Sequence, residues 1–245
     1  MFERMRRRDG TCIDADPRPL FFFHIAKTGG TSITAAIRTR YPRRLVRSER
    51  GNLSLDYADR LVAEGLAPGW FVHGHPAHGV GALLRGRTRI VTMLRDPVDQ
   101  CISNYLFIRG DPANPNQPAA KAMGFSAFLR AHPYYAIFQT GSLLVGMLPE
   151  LPPIERFGDQ LPAIKAFLND MALVGTSRDS GRFLEDLSAL MGWDRPPVAK
   201  RLRRAKADAR EIESLRAERL ALETDDRLAP LFAVERTVFA LACAR

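Results

Sequence analysis

Short apolar runs alternate with amphipathic stretches along this chain, a pattern that predicts parallel strands joined by crossover helices. The predicted strands are Leu20–Ile25, Trp70–His73, Arg89–Leu94 and Ala172–Gly175, with Arg44–Arg47 as a fifth. The predicted helices are Thr31–Thr39, Leu55–Glu64, a segment beginning at Pro97, and Leu228–Ala242. The sequence therefore predicts an α/β fold with a central parallel sheet of four to five strands flanked by helices.

The remaining segments predict a surface loop and a charged helix. Arg109–Gly124 is rich in Pro, Asn and Ala, which indicates a surface loop of the kind that often acts as a lid or contacts a substrate. The pattern of Lys200–Glu223 is helical and charged; its Arg-rich part, Lys200–Arg210, is either a solvated face or a surface that touches an anionic ligand. We take residues 1–18 as a flexible basic N-terminus and residues 19–245 as a single domain.

The chain is strongly basic. Lys and Arg outnumber Asp and Glu by 36 to 27, which gives a formal net charge of +9. Arg makes up 31 of the basic residues, which suits bidentate contacts with phosphate or sulfate, although a GC-rich genome explains the excess equally well. We therefore expect an anionic partner, which could be a nucleotide, an acidic glycan, a membrane surface or nucleic acid.

The cysteines and the N-terminus predict a soluble cytoplasmic protein. Cys12, Cys101 and Cys243 are odd in number and widely spaced, so neither a disulfide framework nor a metal-binding pair of cysteines is indicated. The basic N-terminus is followed by acidic and Pro-containing sequence, where a signal peptide would have its apolar core. We found no stretch close to the about 18 apolar residues of a membrane-spanning helix.

The first candidate for chemistry is the segment HIAKTGGTS, which follows the first predicted strand and opens a helix. Glycines let the backbone approach a ligand, and the free N–H groups of a helix start attract an anion that Lys27 can also reach. The segment is not the loop of nucleotide triphosphatases, which needs its Lys directly before the Ser or Thr, whereas Lys27 precedes both glycines. A tight strand-to-helix turn with an incidental lysine is the simpler alternative.

A second candidate, RDPVDQCISNY, follows the predicted strand Arg89–Leu94. Pro97 suits the first turn of a helix, and Asp96 can cap it. Ser103 lies roughly 9 Å along that helix from Pro97, so Arg95 and Ser103 could hold one phosphate from two sides. The alternative is that the segment binds no ligand and is only an Arg-Asp pair at a helix start, with Ser103 in solvent.

Together these two segments resemble the signatures of sulfotransferases that use 3'-phosphoadenosine 5'-phosphosulfate, particularly the type 2 branch with heparan sulfate 2-O-sulfotransferase and its bacterial relatives. The resemblance implies a P-loop-like sulfotransferase fold and a reaction without a metal, with adenosine 3',5'-bisphosphate as product. The positions that correspond to the family's 5'-phosphosulfate loop are Lys27, Thr28, Gly29, Gly30, Thr31 and Ser32. Those that correspond to its 3'-phosphate site are Arg95 and Ser103.

The chain departs from the family pattern at two positions. Ala26 stands where the family usually has Pro, which should loosen the turn without removing a contact. FQTGSLLVG resembles the family's Gln-containing helix, but Gly141 stands where Arg is common, which puts a cofactor role of Gln139 in doubt. Similarity continues faintly through Ala172–Trp193, where Val174 and Leu187 are expected in the core.

The candidate bases are the histidines of FVHGHPAHG. His73 and His75 are two residues apart on a predicted strand, so both could project from its carboxyl end, where α/β sheets bind ligands. Histidine suits removal of a proton from a hydroxyl, and the resemblance assigns this role to His75. Three histidines could instead bind zinc, or be structural, which we expect for His78 and His24 and leave open for His73.

The resemblance implies transfer of a sulfuryl group to an acceptor hydroxyl by in-line displacement, with a saccharide or glycolipid as the expected acceptor. His75, Lys27 and His73 are the catalytic candidates, and Lys27 with the loop amides would stabilise the leaving group. A P-loop kinase or nucleotide triphosphatase is one alternative, and a non-catalytic polyanion-binding module is another. Aromatic and basic residues are not interleaved as in single-strand binders, so we expect no nucleic-acid partner. The oligomeric state stays open.

Overall fold

The computed structural model describes residues 16–199 and 209–244. The strands are β1 (Leu20–Phe23), β2 (Val46–Arg47), β3 (Asn52–Leu53), β4 (Phe71–Pro76), β5 (Arg89–Leu94) and β6 (Leu173–Thr176). They form one sheet in the order β2-β4-β1-β5-β6, with β3 paired to β4. Each of these strand pairs is parallel. The predicted α/β fold with a parallel sheet is therefore confirmed, and β3 is a strand that the sequence pattern did not predict.

Helices cover both faces of the sheet. They are α1 (Gly30–Arg38), α2 (Leu55–Ala63), α3 (Val80–Leu84), α4 (Pro97–Gly110), α5 (Gln117–Ala122), α6 (Phe125–Ala131), α7 (Phe138–Met147), α8 (Leu161–Asp170), α9 (Ser180–Met191), α10 (Ala209–Ala217), α11 (Arg219–Glu223) and α12 (Ala229–Cys243). Short 3₁₀ turns lie at Arg43–Leu45, Pro133–Ile137, Ile154–Gln160 and Ser177–Asp179. The helices predicted at Thr31–Thr39, Leu55–Glu64, from Pro97 and at Leu228–Ala242 are present, with ends that differ by one residue at most where an end was predicted. The described part of Lys200–Glu223 forms two helices, α10 and α11.

The central strand β1 divides the apolar core into two layers because its side chains alternate between the faces of the sheet. Phe21 and Phe23 belong to the larger cluster, which includes residues of α2, α4, α7, α8 and α12. Leu20 and Phe22 belong to the smaller cluster, formed with α1 and α9. All four side chains are fully buried, so β1 is fixed from both sides and its carboxyl end is a rigid support for the loop that follows.

The prediction of a surface loop at Arg109–Gly124 is wrong in part. Helix α4 continues to Gly110, and the short helix α5 occupies Gln117–Ala122. Pro118 sits in the first turn of α5, where its missing N–H is not needed, and Ala120 is fully buried. The segment packs against α4, so its Pro and Ala residues begin a helix and fill the core rather than line an open loop.

Some predictions fall outside the described residues. These are the N-terminal segment as far as residue 15, with Cys12, and residues 200–208 of the Arg-rich stretch. In the part of the chain that the structure describes, no helix combines the length and the apolar character needed to cross a membrane. The core positions expected at Val174 and Leu187 are confirmed, since both side chains are buried.

Candidate active site

The candidate site lies at the carboxyl ends of four neighbouring strands. Strands β4, β1, β5 and β6 are adjacent and parallel, so the segments that leave them emerge at one edge of the sheet. In α/β proteins this edge is where ligands bind. The HIAKTGGTS segment leaves β1, and Arg95 and Asp96 leave β5. His75 is near the end of β4 itself. The fold therefore brings the sequence-predicted segments to one place.

The loop between β1 and α1 has a strained, tightly fixed backbone. Lys27 has a φ of 67° and Gly29 a φ of 90°, both in the left-handed region that disfavours side chains with a Cβ. The buried Thr28 hydroxyl donates to the carbonyl of Ile25 at 2.8 Å. Helix α1 then begins at Gly30 without a side-chain cap, and the Ser32 N–H donates to the Gly29 carbonyl at 3.1 Å. This is the geometry of an anion site at a helix start.

Gly30 is required because the His24 ring packs against it. A Cβ placed on Gly30 would lie 2.1 Å from Cδ2 of His24, which is far too close for van der Waals contact. The His24 ring in turn stacks on the His75 ring, with the centroids 4.2 Å apart. The second glycine of the loop therefore fixes the position of two histidines, while Gly29 provides the turn.

The two signature segments contact each other. The Arg95 guanidinium donates from Nη1 to the carbonyl oxygen of Lys27 at 3.1 Å. Gln100 on α4 donates from Nε2 to the carbonyl of Ala26 at 3.5 Å. The Lys27 ammonium lies 4.2 Å from the centroid of the Phe107 ring, also on α4. The loop after β1 therefore runs along one face of the helix after β5.

Ser103 lies on that face of α4. Residues three and four apart are neighbours on a helix, so Ser103 lies between Gln100 and Phe107, which both contact the loop. Asp96 caps the helix as predicted, because its Oδ1 accepts from the N–H groups of Val98 and Asp99. The same stretch of α4 contains two buried polar atoms without a hydrogen-bond partner in the described structure, Gln100 Oε1 and Asn104 Nδ2. Both atoms are enclosed in the protein interior, as His73 Nε2 is, so they do not face an open site.

Gln139 fixes the main chain of Arg95. The Arg95 N–H donates to Gln139 Oε1 at 2.7 Å, and Gln139 Nε2 donates to the Arg95 carbonyl at 2.9 Å. Gln139 is 1% exposed. The residue that the resemblance left doubtful is therefore a support for Arg95, since both ends of its side-chain amide bond to that main chain.

Behind Gln139 lies the buried carboxylate of Glu235 on α12. It accepts hydrogen bonds from the backbone N–H groups of Gln139 and Thr140, at 2.8 and 3.0 Å, and from the Thr140 hydroxyl. Burial raises the pKa of Glu235 above its usual value, although the hydrogen bonds from Thr140 and Gln139 counteract this. Glu235 thus holds the start of α7, where Gln139 is located, and neither residue could be assigned this role from the sequence pattern.

His75 is oriented by a backbone hydrogen bond. Its Nδ1 lies 2.7 Å from the carbonyl oxygen of His24. Because a carbonyl oxygen only accepts, the proton must be on Nδ1, which leaves Nε2 as an acceptor. Burial lowers the pKa of His75 below 6.5, and the bond to His24 partly offsets this. The ring is therefore a neutral imidazole at pH 7 with a defined tautomer.

His73 and His78 have different surroundings from His75. His73 is 6% exposed, its Nε2 is buried without a hydrogen-bond partner in the described structure, and burial lowers its pKa to about 4. His78 is exposed, and its Nδ1 lies 3.3 Å from the carbonyl oxygen of Leu148. In the described residues, no group of three or more His, Cys, Asp or Glu side chains forms a possible metal site.

A group of arginines lies at the β5 and β6 end of the edge. Arg178 and Arg219 approach Oδ2 of Asp96 at 3.5 and 3.8 Å, and Arg216 bonds to Asp99 at 2.9 Å. Ser177 is near Gly29, since its Cβ lies 4.0 Å from the position of a Cβ on that glycine. The sequence analysis missed this group because Arg178, Arg216 and Arg219 are far along the chain from Asp96 and Asp99.

Comparisons with known proteins give structural likeness only. No protein-family model matches the chain, and no curated protein sequence matches it. The fold is similar to that of the mouse sulfotransferase SULT7A1 complexed with PAP, with a TM-score of 0.45, 14% identity and coverage of 86% of this chain and 68% of that one. It is also similar to a sulfotransferase from Alicyclobacillus acidocaldarius, with a TM-score of 0.44, 18% identity and coverage of 89% and 96%. Similarity at this level does not establish a function.

Proposed function

We propose that the protein is a sulfotransferase that moves a sulfuryl group from 3'-phosphoadenosine 5'-phosphosulfate to the hydroxyl of an acceptor. The resemblance of its two signature segments to type 2 sulfotransferases suggests a saccharide or glycolipid acceptor. Its few, widely spaced cysteines suit a cytoplasmic enzyme. The chemistry of the site, taken residue by residue, supports this proposal.

The observation that carries the proposal is the contact between Arg95 and Lys27. The donor nucleotide has a phosphosulfate at one end and a phosphate at the other, so its site needs two anion-binding elements close together. The 3.1 Å hydrogen bond from Arg95 Nη1 to the Lys27 carbonyl joins the loop after β1 to the segment after β5. Ser103 lies on the face of α4 that follows the same loop.

The polar groups at this junction fit such a ligand. The uncapped start of α1 provides N–H groups for the phosphosulfate end, with Lys27 beside them.

His75 is the base in this proposal. Its Nδ1 proton is held by the His24 carbonyl at 2.7 Å, so Nε2 is free to accept a proton. The buried Nε2 of His73 cannot be reached by an acceptor hydroxyl, which favours His75 over His73. Because burial lowers the pKa of His75 below 6.5, the ring is in its basic, neutral form at pH 7.

The reaction steps follow from these positions. His75 Nε2 accepts the proton of the attacking hydroxyl while the hydroxyl oxygen forms a bond to sulfur. The bond between sulfur and the oxygen of the 5'-phosphate breaks, and Lys27 with the N–H groups of α1 stabilises the negative charge that develops there. Arg95 and Ser103 hold the 3'-phosphate and keep the nucleotide in place.

Two variants test these roles. Lys27→Ala should lower turnover by about 10²- to 10³-fold, because Lys27 acts on charge that develops in the transition state. Arg95→Ala should chiefly weaken binding of adenosine 3',5'-bisphosphate, by about 10- to 100-fold in calorimetry, since that contact exists in the ground state. Lys121→Ala and Arg87→Ala, two exposed positions away from the site, are the matched controls.

The same calorimetry separates the alternatives. A kinase or nucleotide triphosphatase would bind ATP with Mg²⁺ in preference to the bisphosphate. A polyanion-binding module would bind DNA or heparin with strong salt dependence and without turnover. Either result, or an Arg95→Ala variant that loses turnover and keeps its bisphosphate affinity, would contradict the proposed roles.

A further inference from the structure

A cavity of about 200 Å³ lies beside His75 at the site edge. His75 and Ala26 form one side of it, and Tyr134, Phe138, Ser142 and Val145 form the other. Phe138, Ser142 and Val145 lie on one face of α7, four and three residues apart. Ala26 directly precedes Lys27, so the cavity adjoins the loop that holds the phosphosulfate in the proposed function.

The lining of the cavity has no fixed charge. None of its eight lining residues is Lys, Arg, Asp or Glu. Burial lowers the pKa of His24 to about 3 and that of His75 below 6.5, so both rings are neutral at pH 7. The Ser142 hydroxyl already donates to the carbonyl of Phe138 at 2.8 Å. Among the described residues that line this cavity, an anionic group would find no cation to replace its water.

The arginines that the structure describes around Asp96 and Asp99 lie on the other side of the loop. Arg178, Arg216 and Arg219 surround Asp96 and Asp99, at the ends of β5 and β6 and the start of α4. The cavity lies against β4 and α7, on the opposite side of β1 in the strand order. The described part of the edge is therefore divided into a charged end and a neutral end.

Two aromatic rings give the cavity its shape. Tyr134 and Phe138 meet edge to face, with the ring centroids 5.7 Å apart. Tyr134 can take this position because residue 141 is glycine: a Cβ there would lie 2.8 Å from its ring. The volume is below the roughly 300 Å³ of the smallest usual ligand pockets, so there is space for about one ring.

We propose that this cavity is the acceptor subsite and that it takes an uncharged, hydroxyl-bearing group of about one six-membered ring, excluding rings that bear a carboxylate or sulfate. The ring would lie against Tyr134 and Phe138 with its hydroxyl toward His75 Nε2. This inference rests on the proposed function and narrows its acceptor: a neutral sugar, phenol or cyclic alcohol fits the subsite, and a uronate does not.

The test uses pairs of acceptors with the same ring, of which one member is neutral and the other carries a carboxylate. Suitable pairs are methyl glucoside with methyl glucuronide, and 4-ethylphenol with 4-hydroxyphenylacetate, with formation of the bisphosphate as the readout. We expect kcat/KM to be about 100-fold higher for a neutral member, as a buried unpaired charge would cost this much. Preference for an anionic member, or no turnover of any neutral member by protein that binds the bisphosphate, overturns the subsite proposal.

Variants of Val145 add a second readout. Val145→Phe should fill the cavity and raise the acceptor KM by about tenfold, while Val198→Phe, an exposed position 79% accessible to solvent, should not. Val145→Arg should lower the preference for the neutral member by about tenfold. Bisphosphate affinity within about twofold of the parent shows that each variant is folded with an intact donor site.

The outcomes separate the two proposals. If the parent protein binds no bisphosphate, the proposed function itself fails, and the subsite with it. If the bisphosphate binds but both Val145 variants keep the parent's acceptor kinetics, the donor site stands and the subsite is overturned.

Discussion

The pairing of Gln139 with the Arg95 main chain can be tested with Gln139→Leu. Leucine fills a similar volume but can replace neither the 2.7 Å bond from the Arg95 N–H nor the 2.9 Å bond to its carbonyl. Gln139 is 1% exposed, so water cannot take its place without a rearrangement. The substitution therefore leaves one donor and one acceptor of Arg95 unsatisfied.

The expected loss of stability follows from these two groups. Each unsatisfied buried group costs about 1–3 kcal/mol, and Arg95 itself is half-buried, so we expect a free energy of unfolding lower by about 2–4 kcal/mol in total. The main chain of Arg95 would also be less fixed, so its guanidinium, which bonds to the Lys27 carbonyl, would be held less firmly in position. We expect bisphosphate affinity to fall about tenfold, which equals about 1.4 kcal/mol.

Urea unfolding measures the first effect, and calorimetry of the folded variant measures the second. Gln117→Leu, at the start of α5, is the matched control and should change stability by less than about 0.5 kcal/mol. A wild-type unfolding midpoint for Gln139→Leu would refute the energetic reasoning. A destabilised variant with unchanged bisphosphate affinity would show that Gln139 supports the fold without positioning Arg95.

Two further predictions concern the histidines. Burial lowers the pKa of His24 to about 3 and that of His73 to about 4. Below pH 6.5 the unfolded chain therefore binds more protons than the folded protein. The free energy of unfolding should fall as the pH drops from 6.5 toward 4. Each histidine contributes up to about 1.4 kcal/mol per pH unit to this dependence, so His73→Phe should remove about half of the total pH dependence. Urea unfolding at pH 7, 6 and 5 measures it. A free energy of unfolding that does not change with pH would contradict buried neutral rings. Gly30→Ala puts a methyl group 2.1 Å from the His24 ring and should displace the stacked His75, lowering turnover about tenfold. Gly110→Ala is its control, and unchanged turnover in Gly30→Ala would rule out this coupling.

Local pattern was enough to predict the sheet and the segments at its edge. The apolar runs around Phe21 and Ile90 are strands in the structure because a strand buried on both faces needs a continuous apolar sequence. Parallel strands bring their carboxyl ends together, so the segments after β1 and β5 were expected to meet, and the bond from Arg95 to Lys27 agrees with this. The cap at Asp96 also follows from neighbouring residues alone.

Short elements and Pro-rich sequence were less predictable. The two-residue strand β3 has no periodicity to detect, and it exists because Asn52 and Leu53 pair with His75 and Pro76. Arg109–Gly124 contains helix α5 because Ala120 is buried in the core beside α4. The composition of the segment does not reveal this contact. In both cases a tertiary contact outweighed a weak local preference.

The sequence by itself determined the order of the strands and helices along the chain, the basic charge, and the residue types at the sheet edge. Those properties depend on near neighbours in the chain. Only the tertiary structure decided that Gln139 and Glu235 support Arg95. It also decided that His75 rather than His73 lines a cavity. The cavity has a neutral lining, whereas Arg178 and Arg219 lie on the other side of the loop. These relations join residues distant in the chain, such as Gln139 and Glu235, which are 96 positions apart, and such pairs are fixed by packing of whole elements rather than by any local pattern.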